Sequence, residues 1–319
     1  MLDKFKIGHY TDDTNKTGAT VILCEKGATA GVSVRGASPA TRETDLLCPT
    51  KTVQEINAVV LSGGSAFGLE ASCGVMDYLY KNKIGYNAGG YKVPIVCGAS
   101  LYDLENGNFA YPDKNAGFVA CQNAKTDNFE VGLIGAGTGA TCGKPLGMKH
   151  ASAGGLGVAK AKLFGASIAV VVAINPLGDI VKDGEIIAGL KIGKKFHSTQ
   201  NLFGKISGFR QVNTTIGCIL TDAKLTKSEC TALADVAHDG YALSISPSHT
   251  PFDGDAIFCM ASGDKKIALF KLAAIVPKLV QSAIYSAFEG KAAELEIEED
   301  DCESQLDKLP ENSSNDSEE

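Results

Sequence analysis

Three short stretches of the chain, SIAVVVAIN (167–175), TTIGCILTD (214–222) and DAIFCMAS (255–262), carry almost no charge and are dominated by aliphatic residues. A strand with one wet face alternates apolar and polar side chains, so runs like these need cover on both faces. They demand a sheet with material stacked above and below it. KSECTALADVAHDGYALSI (227–245) supplies one cover, a helix with Thr226 as its N-cap. KKIALFKLAAIVPKLVQSAIYSAF (265–288) supplies another, a helix or helix pair punctuated by Pro277. SAFGLEASCGVMDYLYKNKIG (65–85) reads as a buried helix stopped by Gly85. EINAVVLSGG (55–64) reads as a strand ending in a tight turn. ATVILCEKGATAGVSVRG (19–36), two β-branched runs around a glycine, reads as a hairpin. Strands and helices in this arrangement predict layered α and β in a single domain over residues 1–290.

Composition narrows what such a domain does. The formal net charge of the 319 residues is -7, but Lys291 to Glu319 alone carries a net of -10, leaving the body near +3. A nearly neutral body argues against a dedicated nucleic-acid surface. The acidic segment, poor in apolar residues and free of aromatics, is expected to be a disordered tail over 291–319. No run of 18 apolar residues exists, so no membrane span is expected, and MLDKFKIGHYTDD lacks the apolar core of a signal peptide. A cytoplasmic location is the expectation. The ten cysteines are expected to stay reduced. With no CxxC and no HxxxH pair, a zinc site is not expected.

Three segments invite a chemical reading. GAGTGATCGK (135–144) formally matches a dinucleotide fingerprint, but no Asp or Glu occurs from Val131 to Gly178 to hold a ribose, and Pro145 replaces the Ser or Thr of a phosphate loop. A close-packed glycine connection fits it better, and Lys144 at its end, though without an acidic sequence neighbour, reads on its own as an ordinary surface lysine. In SGGSAFGLE (62–70), Ser65 sits where a nucleophile elbow would place it, yet Phe67 stands where that motif needs glycine. Ser65 therefore reads as a helix N-cap. In QVNTTIGCILTD (211–222), Asn213 closes a polar segment and Thr214 opens an apolar strand. Such a Thr either simply starts a strand or attacks the peptide bond before it, freeing itself as a new N-terminus whose α-amine, with a pKa of ~7.7–8, is its own base.

The blocks VRGASPATRETDLL (34–47), NAVVLSGGSAFGLEA (57–71), VPIV (93–96), GAGTGATCGK, AINPLGD (173–179), NTTIGCILTDA (213–223) and HTPFDGDAIF (249–258) together resemble the self-processing aminopeptidase family, in order and over roughly residues 7 to 262. That family includes the L-aminopeptidase/D-esterase, β-peptidyl aminopeptidases and the nylon-oligomer endohydrolase. The resemblance implies a four-layer αββα sandwich similar to N-terminal-nucleophile hydrolases. It implies cleavage after Asn213, giving chains 1–213 and 214–319, with Thr214 as the nucleophile. Lys144 matches the lysine near the nucleophile, Asn175 the oxyanion asparagine, and Asp253 and Asp255 the acidic pair of the nylon-hydrolase branch. Tyr102 in SLYDL aligns loosely with an active-site tyrosine. On an extended strand Asp253 and Asp255, at i and i+2, would share one face and orient the Thr214 amine and hydroxyl, or share a proton between them. Their ordinary reading is a turn, as PFDGD is good turn sequence. The implied activity is removal of N-terminal residues from peptides, amides or esters by a cofactor-free, metal-free homo-oligomer, a tetramer or larger, with no nucleic-acid or membrane partner. Alternatives on the same scaffold are an amide endohydrolase, an acyl transferase, or a non-enzymatic ligand-binding homologue.

Overall fold

A computed structural model describes residues 2–203, 205 and 213–297 of the chain. Its main sheet has ten strands. Nine of them are β1 (Lys6–Asp12), β2 (Thr17–Val34), β3 (Glu55–Ser62), β4 (Val96–Ser100), β5 (Gly155–Leu163), β6 (Ala166–Asn175), β7 (Thr214–Ala223), β8 (Ala256–Lys265) and β9 (Ala293–Glu296). The tenth is the two-residue edge Thr41–Arg42 beside β4. Spatial order runs β9-β5-β6-β7-β8-β2-β3-β4, with β1 also on β2. The main helices are α1 (Ala71–Lys81), α2 (Lys114–Gln122), α3 (Lys227–Ser244) and α4 (Leu269–Glu289).

β2 makes one continuous sheet into two layers. The expected hairpin over 19–36 is instead this single strand of 18 residues. Leu23 faces Ala58 while Ala28 faces Ile56, so residues 24–27 bulge and bend the strand where a hairpin would have turned. Before the bulge β2 pairs with β1 and β3; after it, Ala28 and Thr29 still meet the start of β3, and residues 29–34 pair with β8. The two parts of the sheet thereby stack on a shared core that includes Ile22, Leu61, Val171, Cys218 and Phe258. Their outer faces meet helices. Val21 and Val60 pack with Val75 and Leu79 of α1, and Val170, Val172 and Ile219 pack with Leu233 of α3 and Leu279 of α4. The uncharged runs are explained by β6, whose Val170 and Val172 face α3 and α4 while Val171 faces the opposite sheet. The result is the expected order of helix, sheet, sheet and helix.

Local chemistry sets the helix ends. Thr226 caps α3 through a full capping box with Glu229, as its sequence predicts. Pro277 lies inside one unbroken α4, so the alternative of a helix pair does not apply. The 65–85 helix is split, with a 3₁₀ turn over Ser65–Glu70 before α1, which ends at Lys81 rather than at Gly85. Ser65 is not the cap: Gly64 holds that position, and Ser65 itself has φ of 55°. Part of the segment that composition assigns to the tail is a strand. Ala293–Glu296 pairs in parallel with β5 as β9, because Ala293, Leu295 and Ile297 find cover against the α3/α4 core. Residues 298–319 lie outside the described residues. No helix among those described is long and apolar enough to cross a membrane, and all nine described cysteines are free.

Candidate active site

Three central strands meet at one edge of the sandwich. β6 runs antiparallel to β7 and ends at Asn175, while β8 runs parallel to β7 and starts just after Asp255. Thr214, the first residue of β7, is thus flanked on both sides, paired directly with Asn175. Such cross-strand partners place their Cβ atoms about 5 Å apart. On the other side Asn213 bridges Asp253. The Asn213 N–H donates to the Phe252 carbonyl at 2.9 Å, and the Gly254 N–H donates to the Asn213 carbonyl at 2.9 Å. That carbonyl also accepts the Thr214 hydroxyl. Thr214 is 2% exposed. A Cβ on Gly254 would lie 2.5 Å from the Ser38 carbonyl and 2.9 Å from Thr214 Oγ1, so only glycine permits this approach.

Lys144 and Asn175 form the wall on the β6 side. The glycine-rich segment leading to Lys144 is buried and packed against other backbone, since a Cβ on Gly139 would sit 1.9 Å from the Lys16 carbonyl. This is the structural role its sequence favours, and it delivers Lys144 into the interior at 3% exposure. Lys144 Nζ donates to Asn175 Oδ1 at 2.8 Å and to the Asn175 carbonyl at 3.1 Å. Burial pulls this ammonium down to about 8, against the opposing field of Asp253. Asn175 is fixed completely: Oδ1 also accepts the Thr141 N–H at 2.9 Å, and Nδ2 donates to the Tyr102 carbonyl at 3.0 Å. Tyr102 therefore meets the site through its backbone, while its hydroxyl donates to exposed Glu105 at 3.3 Å.

The β8 wall is acidic. Asp253 and Asp255 precede β8 rather than lie on it, and they do not share partners as a common strand face would predict. Asp253 Oδ1 accepts the Leu177 N–H at 3.2 Å, and its other oxygen accepts the N–H of Thr250 at 3.2 Å and the Thr250 hydroxyl. Asp255 Oδ1 accepts the Thr215 N–H at 2.7 Å, and Oδ2 accepts the His249 N–H at 3.1 Å and contacts His249 Nδ1 at 2.8 Å. Burial, then the neighbouring Asp255 charge, pushes Asp253 up to about 7.

All five residues singled out from the sequence besides Tyr102, together with Asn213, converge on this edge. Sequence reading missed the groups that hold them. His249 and Thr250 stand in the same HTPFDGD block as the two acids, and their adjacency was the available signal. Asp103, beside Tyr102, is buried, accepts the Thr17 hydroxyl at 2.8 Å and the Gly64 N–H at 2.7 Å, and is pushed up to about 6 by burial. Among the described residues no three His, Cys, Asp or Glu side chains gather as metal ligands.

Comparison with known proteins gives this geometry a context. The sequence profile described as peptidase family S58 matches residues 3–296. An uncharacterized aminopeptidase of Mycobacterium leprae is 38% identical over 287 residues, covering 82% of this chain and 77% of its own. A 6-aminohexanoate-oligomer endohydrolase of Paenarthrobacter ureafaciens is 30% identical over 266 residues, 80% of this chain and 72% of its own. Among solved structures, the L-aminopeptidase D-Ala-esterase/amidase of Ochrobactrum anthropi, described as a variant of the Ntn-hydrolase fold, superposes with a TM-score of 0.70 at 16% identity. That superposition covers 90% of this chain and 84% of the other.

Proposed function

The chain belongs to peptidase family S58 and is a hydrolytic enzyme, and from that premise we propose that it matures by cutting itself between Asn213 and Thr214 and then acts as an aminopeptidase with Thr214 as nucleophile. One observation carries this reading: the Asn213 carbonyl accepts both the Thr214 hydroxyl and the Gly254 N–H, at the junction of a β-strand that starts with that threonine. In the first reaction Thr214 Oγ attacks the Asn213 carbonyl carbon, and the Gly254 N–H stabilises the oxyanion. The C–N bond breaks, the nitrogen takes up the hydroxyl proton, and an ester links Asn213 to Thr214. Water hydrolyses this ester, leaving a carboxylate on Asn213 and a free amine on Thr214.

The same hydroxyl then turns over substrate. The Thr214 amine, with an ordinary pKa of ~7.7–8, accepts the hydroxyl proton as Oγ attacks a peptide or amide carbonyl. Asn175 Nδ2, already oriented by its other bonds, donates to the developing oxyanion. Lys144 lowers the amine's proton affinity by like-charge repulsion, while Asp255 holds the strand end through the Thr215 N–H and Asp253 ties the Leu177 and Thr250 backbone together beside it. The amine gives its proton to the leaving nitrogen, and water releases the acyl group.

The test is a set of substitutions with a pair of substrates. Thr214→Ala is expected to stay one chain and be inactive, while Thr214→Ser is expected to cut and turn over. Thr215→Ala is expected to cut at the same bond; a block there would move the nucleophile by one residue. An N-acetylated substrate is expected to lose turnover relative to its free-amine twin, and equal hydrolysis of the two would replace aminopeptidase action with endohydrolysis.

A further inference from the structure

Behind Asp255, on the side away from Thr214, lies a group of side chains that this chemistry does not use. The His249 ring sits 4.8 Å from the His238 ring and 6.0 Å from that of Tyr241, centroid to centroid. His238 is anchored to the Ser33 carbonyl at 3.1 Å through Nε2, and burial pulls it down to about 4, so it is neutral at ordinary pH. The Tyr241 hydroxyl is buried over Gly217 of β7, where a Cβ would lie 2.9 Å from it. This packing fixes the plane of the His249 imidazole. His249 also adopts φ of 52°, a left-handed conformation that His and Asn tolerate better than most residues. The left-handed turn brings its backbone N–H and its ring Nδ1 to the same oxygen of Asp255.

We infer that His249 is a positioning residue for both self-cleavage and turnover, acting through Asp255 on the N-terminus of β7. Asp255 joins two things. Its Oδ2 is held by His249, and its Oδ1 holds the Thr215 N–H at 2.7 Å. Thr215 is the residue immediately after the nucleophile. Once Asn213 is cut away, the bonds from Asn213 to Phe252 and Gly254 no longer restrain Thr214. The Asp255 bond to Thr215, the ladder to β6 and the pairing with β8 from Ile216 onward are then what keep the strand end from fraying. A carboxylate held from behind at two points keeps its free oxygen aimed at one N–H. A carboxylate held by one backbone N–H swivels, and the attacking hydroxyl swivels with the strand end. His249 does not touch the reacting atoms and is not their base.

This inference rests on Thr214 being the nucleophile, and its test separates the two. His249→Phe keeps a ring against His238 and Tyr241 but lacks the donor. His249→Asn lacks the ring but keeps an N–H near the Nδ1 position and tolerates the left-handed backbone. His249→Phe is expected to slow self-cleavage and to lower kcat about tenfold with KM within about twofold, in line with loss of one hydrogen bond to a charged acceptor. His249→Asn is expected to recover both rates to within about threefold. Hydrogen exchange in mature enzyme adds a direct readout: His249→Phe is expected to speed exchange of the Thr215 amide while the β7 interior from Gly217 onward stays protected. If His249→Phe retains wild-type rates, or His249→Asn is the impaired variant, the ring packing matters and the positioning role is wrong. Uniformly faster exchange along β7 overturns it equally, by showing a general loss of structure. A wild-type enzyme that cuts at Asn213–Thr214 while its His249 variants behave normally rejects this inference and leaves the nucleophile assignment standing.

Discussion

On the β6 side of Thr214 the neighbouring charge is Lys144, received by two oxygens of Asn175, whereas on the β8 side two carboxylates are received by the N–H groups of Leu177, Thr215, His249 and Thr250. Both walls are buried, and burial moves each toward neutrality: Lys144 falls to about 8 and Asp253 rises to about 7. They differ in what they hold. The lysine wall fixes one side chain, Asn175, whereas the acid wall fixes backbone, including the strand that carries Thr214. With Thr214 as the proposed nucleophile, the first wall is expected to tune its chemistry and the second its geometry, so damage to them is expected to have different signatures.

Across the two walls, the largest effect expected is from Lys144→Met. It removes the cation beside the amine and is expected to lower kcat/KM about a thousandfold, within the range for positioned acid–base groups. It is also expected to raise Tm. In the unfolded chain Lys144 keeps its proton up to 10.5 and in the fold only to about 8. The unfolded state therefore binds more protons between those values, and this group makes stability rise with pH across that window. Below pH 8 the buried charge costs roughly 3 kcal/mol, which Met avoids. Thermal melts of wild type and variant from pH 7 to 10 check both parts. A variant with lower Tm would show that the bonds to Asn175 outweigh the cost of burial.

Asn175→Ala comes next, with kcat expected to fall about a hundredfold and KM little changed, as for loss of one oxyanion donor. A rise in KM alone would assign Asn175 to substrate binding. Asp253→Asn is expected to be milder and pH-dependent. Below about pH 7 the wild-type carboxyl is already largely protonated, so the neutral amide differs little from it; above pH 7 the gap in kcat widens. A gap independent of pH from 6 to 8 would break the contrast between the walls. The smallest effect concerns the chain's end. Removing residues 298–319 is expected to leave Tm and activity unchanged, whereas cutting after Gly290 deletes β9 and is expected to lower Tm by several degrees with kcat kept.

Much of this was legible in the sequence. The uncharged runs at 167–175 and 214–222 required two-sided cover, and β6 and β7 have it. The Thr226 cap needed only local residues. What failed depended on distant partners. Nothing near Gly27 says that β2 bends instead of turning back, because β3 and β8, which hold its two halves, lie far along the chain. Ser65 has the chemistry of a cap, but tertiary contacts put Gly64 at that point. The Ala293–Glu296 strand is hidden in acidic composition, with Leu295 among the residues facing the core. Asp253 and Asp255 were found as a pair, but local alternation cannot tell that one would hold Leu177 and the other Thr215.

The central claim is that Thr214 becomes an N-terminus. Intact-mass measurement of purified wild-type protein, followed by N-terminal sequencing, tests it without any substrate. Self-cleavage is expected to divide the 33.2 kDa chain into pieces of about 22 and about 11 kDa, in proportion to its 213 and 106 residues. The smaller piece begins Thr-Thr-Ile-Gly, and the two separate only in denaturant because β7 stays paired between β6 and β8. A protein that remains at 33.2 kDa and still hydrolyses amides would show that Thr214 acts without a freed α-amine.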